Sequence, residues 1–150
     1  MHCGKMSSMN AQDIRNKYLN FFEQRGHKVI KRAPLVLNED PTTLFTGSGM
    51  QSLMPFLLGE KHPDGVRLTD SQTCLRAQDT EDVGDNRHTT FFEMLGNWSL
   101  GDYFKEQQIE WIFEFLTKEV GLDPHRLYVS CFIGDKENGI PKDTEAAETW

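Results

Sequence analysis

Two runs with strand character, "VRLTDSQTCLR" (66–76) and "RHTTFFEML" (87–95), lie either side of the acidic stretch "AQDTEDVGDNR". Few arrangements suit such a pair. The first run carries Val, Leu and Thr, the second Thr, Phe and Leu, and the connection is polar and long. The pattern therefore predicts an antiparallel hairpin with a more open connection than a two-residue turn. Side chains alternate across a strand, so His88, Thr90 and Phe92 are expected on one face and Phe91 on the other, toward the helices and buried. Gly96, Asn97 and Ser99 read as the end of the second strand and a tight turn into the next helix.

The rest of the chain supplies helices for this hairpin to pack on. In "NAQDIRNKYLNFFEQRG", Ile14, Tyr18, Leu19, Phe21 and Phe22 recur at helical spacing, Asn10 suits the N-cap and Gly26 the stop. "HKVI" follows as a short strand that Pro34 interrupts. Asp40-Pro41 marks a loop, Leu44–Thr46 a short apolar strand before a Gly-Ser-Gly turn, and "QSLMPFLLG" a short helix. A second long helix is predicted over "GDYFKEQQIEWIFEFLTKEVG", started by Asp102 and ended by Gly121. Its expected core residues are Phe104, Trp111, Ile112, Phe115, Leu116 and Val120. Leu127–Ile133 reads as a further strand, and "KDTEAAETW" starts a last helix.

Composition removes several classes of function. At 150 residues, 37% hydrophobic and 11% aromatic, the chain can pack a core. Its net charge of −7 argues against binding nucleic acid through a broadly basic surface. A few focused Arg and His residues would still suffice for phosphate. Cys3, Cys74 and Cys131 are far apart and odd in number, which predicts reduced thiols and a cytoplasmic location. No apolar run reaches the roughly 20 residues of a membrane-spanning helix. The leader 1–9 has no apolar segment and is assigned no function.

"GSGMQS" lacks the third glycine and the long helix of a dinucleotide loop. GxxxxGK[ST], GxSxG and HExxH do not occur. The histidines are scattered, and no metal ligand is assigned. The hairpin is the one candidate site. Arg76 ends its first strand, Arg87 and His88 begin the second, and Phe92 follows. A cationic fork, an imidazole and an aromatic plane on one face could bind phosphates and stack a base. The same pattern fits an ordinary amphipathic hairpin with Phe inside and Arg in solvent, and pattern alone leaves both open.

The motifs "RNKYLNFF", "LFTGSGM", "CLRAQD", "TTFFEMLGNWSLGDYF" and "RLYVS", in this order, resemble the N-terminal part of the alanyl-tRNA synthetases. The resemblance covers Ala11 to Trp150. It implies an α+β fold of class II synthetase type over 10–150, mainly antiparallel sheet flanked by helices and incomplete. Asn10–Pro34 corresponds to the helix and strand of motif 1, and the hairpin to motif 2. The resemblance implies a catalytic, phosphate-binding role for Arg76 and an ATP site that includes His88, Thr89, Phe91 and Phe92, with Phe92 stacking on adenine. It also implies ATP, Mg²⁺, alanine and tRNA(Ala) as cofactors and partners. Zinc is expected only in an editing region beyond Trp150, where the third motif, the acid for alanine's amino group and the oligomerisation region also belong.

Two positions depart from the family. His88-Thr89 stands where many members carry two histidines, and "QDTED" stands where a lysine-containing loop is common. The segment by itself is expected to be inactive. A binding module without chemistry and a bare structural fragment are the rival readings, and the reading frame beyond Trp150 distinguishes them.

Overall fold

The computed structural model describes residues 9–36 and 43–150. The loop expected around Asp40-Pro41 and nearly all of the leader lie outside the described residues. The chain forms two compact units. One runs from Arg15 to Asp102, and the other comprises Tyr103 to Trp150 with the start of the chain up to Ile14.

Helix α1 (Ala11–Glu23) starts at a reciprocal cap. The Asp13 N–H donates to Asn10 Oδ1 at 2.9 Å, and the Asn10 N–H donates to Asp13 Oδ2 at 3.1 Å. Two of the N–H groups at the helix start are thereby satisfied. Tyr18, Phe21 and Phe22 are buried along one face, as their spacing predicts. The helix ends where Gly26 adopts φ +82°, a conformation open to glycine at little cost. His27 then folds back, its N–H and its ring Nδ1 both reaching the Phe22 carbonyl, at 3.1 and 3.0 Å.

A three-stranded mixed sheet organises the first unit, in the order β1 (Lys28–Val29), β2 (Arg67–Leu75), β3 (Phe91–Ser99). β1 runs parallel to β2, and β2 runs antiparallel to β3 from Arg67↔Ser99 to Leu75↔Phe91. The predicted hairpin is present, but its second strand is longer than expected. Gly96 and Asn97 do not end it, because each has a place in the ladder, which runs on to Ser99. Asn97 accepts the Tyr18 hydroxyl at 2.8 Å on the face that α1 covers. Gly96 stands opposite Asp70, under the Trp98 ring. A Cβ there would lie 2.6 Å from Trp98 Cζ2 and 2.9 Å from Asp70 Oδ1. The glycine marks a close approach inside a strand. The chain turns only at Gly101, with φ +77°.

The second sheet face, carrying Leu68, Asp70, Gln72 and Cys74, is covered by the segment around Gly49. The Gly49 N–H reaches Met94 Sδ at 3.4 Å. Leu44–Thr46 is not a strand. Thr46, fully buried, is a single-residue clasp: its N–H donates to Leu35 O at 2.7 Å and its carbonyl accepts the Leu75 N–H at 2.9 Å. The short helix predicted next is a 3₁₀ turn (Gln51–Leu53) continued by α2 (Met54–Leu57), with Pro55 in the first turn where no N–H is missed.

In the second unit, α3 (Lys105–Glu114) passes into one π turn (Phe115–Glu119). Ile109 and Phe115 are buried, and Tyr103 packs edge-on against Trp111 at 4.8 Å. Phe104 is 74% exposed and occupies the N-cap position in extended conformation, so it is neither a core residue nor followed by a side-chain cap. Asp102 does not start the helix; its carboxylate accepts from Arg67 Nε. Helix α4 (Thr144–Thr149) is capped by Asp143, whose Oδ1 accepts both the Ala146 N–H at 3.1 Å and Lys105 Nζ at 2.9 Å. Leu127–Ile133 is not a strand, because no described strand pairs with it and a strand needs a ladder partner.

Candidate functional site

The site is assembled where the hairpin opens. β2 ends at Leu75, and one further backbone bond, from the Arg76 N–H to the Thr90 carbonyl at 2.8 Å, holds the two chains together. Beyond it the chains separate into the acidic loop. Alternation along β2 puts position 76 on the face of Cys74, whose partner across the ladder is Phe92. The Arg76 guanidinium carbon accordingly lies 5.3 Å from the centre of the half-buried Phe92 ring, within cation–π reach. Arg76 Nε donates to the Gly47 carbonyl at 2.9 Å, and among the described residues its two terminal nitrogens make no hydrogen bond. A guanidinium fixed at Nε presents a planar fork of donors suited to phosphate or carboxylate oxygens.

His88 and Thr89 are not part of this pair. β3 begins only at Phe91, so the alternation that would place His88 beside Phe92 does not extend back to it. Asp85 Oδ1 instead accepts the N–H groups of Arg87 and His88 at 2.8 and 2.7 Å, and Oδ2 lies 2.7 Å from His88 Nδ1. These bonds, the His88 backbone bond foremost, hold the Asp85 carboxyl below the usual carboxylate range. Thr89 is exposed in the same loop. Phe91 lies on the α1 side of the sheet, as alternation predicts, but beyond the helix, where it is 58% exposed rather than buried.

Two participants are not among the predicted site residues. Gly47 and Gln51 line a cavity of about 310 Å³ with Thr43, Leu44, Phe45, Leu75, Ala77 and Gln78, at the foot of Arg76. The Gly-Ser-Gly turn is visible in the sequence, but its use as a backbone acceptor for an arginine is not. A larger cavity of about 490 Å³ opens at the far end of the hairpin, among Phe56, His62, Val66 and Leu100, and none of the predicted site residues lines it.

The family model of the class II (A) tRNA synthetases matches residues 13–150. The chain belongs to this family. It is also similar to proteins named alanine–tRNA ligase. That of Treponema pallidum (strain Nichols) is 52% identical over 144 residues, which are 95% of this chain and 24% of the relative. The Borrelia hermsii protein is 50% identical with the same coverage, and that of Porphyromonas gingivalis 46% identical over 147 residues, 17% of its length. The chain thus spans about a quarter or less of the curated relatives it matches. Its α+β architecture is that of a class II synthetase domain, with the sheet mixed in its described part because β1 joins in parallel.

Proposed function

We propose that this chain is part of an alanine–tRNA ligase and that the Arg76–Phe92 pair holds ATP during amino-acid activation. The observation that carries the proposal is the geometry of Arg76, tethered at Nε with its fork unengaged by described residues and placed 5.3 Å from an aromatic face. In the reaction, alanine's carboxylate oxygen attacks the α-phosphorus of ATP. The bond to the β-phosphate oxygen breaks, pyrophosphate leaves with that electron pair, and alanyl-adenylate remains. The tRNA 3′-terminal hydroxyl then takes the alanyl group and AMP departs.

Negative charge builds on the α-phosphate oxygens as the carboxylate approaches. A guanidinium already in position stabilises that charge without reorganising at the moment of reaction. Phe92 offers its ring to adenine; His88 and Thr89 lie in the loop that leads into β3 and Phe91 on the opposite face of the sheet, so no contact with ATP is assigned to them. Among the described residues no group of three or more His, Cys, Asp or Glu could hold a metal. Mg²⁺ would accompany the phosphates of bound ATP and offset part of their charge. tRNA(Ala) and alanine are the remaining partners, zinc belongs to an editing region outside this segment, and the cytoplasm is the setting.

The deciding experiment is alanine-dependent ATP–pyrophosphate exchange by the full-length gene product. Arg76→Ala should lower its rate at least about a hundredfold, on the scale of losing one preorganised donor. Its melting temperature should be near that of the wild type. Near-normal exchange would overturn the proposal.

A further inference from the structure

We propose that Gln51 is a positioning residue for Arg76, acting through the backbone at Gly47. This inference rests on the catalytic reading of Arg76. The peptide joining Thr46 to Gly47 is planar and rigid. It is anchored on both sides, with the Thr46 carbonyl accepting the Leu75 N–H at 2.9 Å and the Gly47 N–H donating to Gln51 Oε1 at 2.8 Å. The next carbonyl, that of Gly47, accepts Arg76 Nε at 2.9 Å. Between the anchored peptide and this carbonyl lie only the two dihedral angles of Gly47, the most permissive of residues. Without the Gln51 bond the carbonyl could swing, and the guanidinium would swing with it.

Gln51 is itself oriented. Its Nε2 donates to Thr43 Oγ1 at 2.6 Å, and the Gly47 N–H, which can only donate, requires the amide oxygen on its own side. Sterics are not the reason for this arrangement, since a Cβ on Gly47 would meet nothing closer than 4.0 Å. The turn thus works through its backbone polarity. Thr43, Gln51, Gly47 and Arg76 form one hydrogen-bonded series that ends at the proposed phosphate contact.

A residue that aims a transition-state contact lowers kcat when removed and leaves ground-state binding largely intact. In full-length protein, Gln51→Met, of similar length but with only a weak thioether acceptor for the Gly47 N–H, should reduce kcat for exchange about tenfold, with the KM for ATP within about threefold. Gln51→Glu keeps an oxygen for that N–H and should remain within about threefold of wild type in kcat. In an Arg76→Ala background, Gln51→Met should change kcat less than about twofold, because its effect passes through the missing guanidinium. A wild-type kcat for Gln51→Met beside a crippled Arg76→Ala enzyme would overturn this inference alone. So would a tenfold loss that persists in the Arg76→Ala background. Wild-type exchange by Arg76→Ala would instead overturn the reading on which it rests.

Discussion

The two faces of the β2–β3 hairpin treat a carboxylate in opposite ways. On the α1 face, Glu93 accepts from Arg15 at 2.8 Å and from Ser71 at 3.0 Å, with Arg32 at 3.7 Å. The Arg15 bond, foremost, holds its carboxyl below the usual range. On the other face, Asp70 is only 2% exposed, and Trp98 Nε1 at 3.2 Å is its hydrogen-bond donor among the described residues. Burial pushes its carboxyl up, against the weaker opposing effects of Trp98 and Arg32. Charge on this sheet is tuned by face. One carboxylate ties a helix down; the other is enclosed at low dielectric on the side leading to Arg76 and Phe92.

Crowding around Asp70 gives the largest expected effect. Gly96→Ala places a methyl group 2.6 Å from Trp98 and must displace the ring from Asp70. Overpacking of this kind costs about 1–3 kcal/mol, and urea melts should show it. A change near zero would mean that the Asp70 face is looser than the close contacts indicate.

The next effect compares the pH profiles of two neutralising substitutions. Asp70's folded pKa is raised above its ordinary 3.8, so its ionisation favours unfolding: stability is fully present below about that pH and falls as pH rises through the folded value. Asp70→Asn should therefore gain about 1 kcal/mol at pH 7 and nothing at pH 3. Glu93 has the opposite sign. Its pKa is lowered from 4.5, so its contribution is present above that pH and disappears as pH falls through the folded value. Glu93→Gln should lose about 0.5–1 kcal/mol at pH 7 and nothing well below pH 4. Parallel rather than opposed profiles would end the distinction between the faces.

The smallest effect is at Phe91. As a residue 58% exposed, it should cost about 0.5 kcal/mol or less in stability on replacement by alanine, not the roughly 3–5 kcal/mol of a buried phenylalanine. Phe92→Ala should act mainly on the KM for ATP. Paired melts and ATP titrations check both, and a large loss of stability at Phe91 would place a covering element over it in the full-length protein.

What could be read from the sequence was local or periodic. α1 was legible because its cap, apolar spacing and stop all agree. The hairpin was legible because alternation and a polar connection coincide. The proximity of Arg76 and Phe92 follows from that register and from the family resemblance. The far end of β3 was not legible, since Gly, Asn and Ser look like a turn until Trp98 is known to need the space over Gly96. His88 was misplaced because a side chain three residues earlier, Asp85, captures it before the strand begins. Leu127–Ile133 has strand composition, but composition cannot supply the neighbour that a ladder requires. Gln51 was invisible because its partner is a backbone N–H, which no residue type announces.

The clasp at Thr46 has a consequence for amide hydrogen exchange. A residue outside every strand is ordinarily among the first to trade its proton with solvent. Thr46 combines complete burial with bonds to both Leu35 and Leu75, so its amide and that of Leu75 should open only when the chain beside β2 detaches. The exchange map should thus show Thr46 protected although it lies outside any strand, and its opening free energy would measure how firmly the floor beneath Arg76 is held.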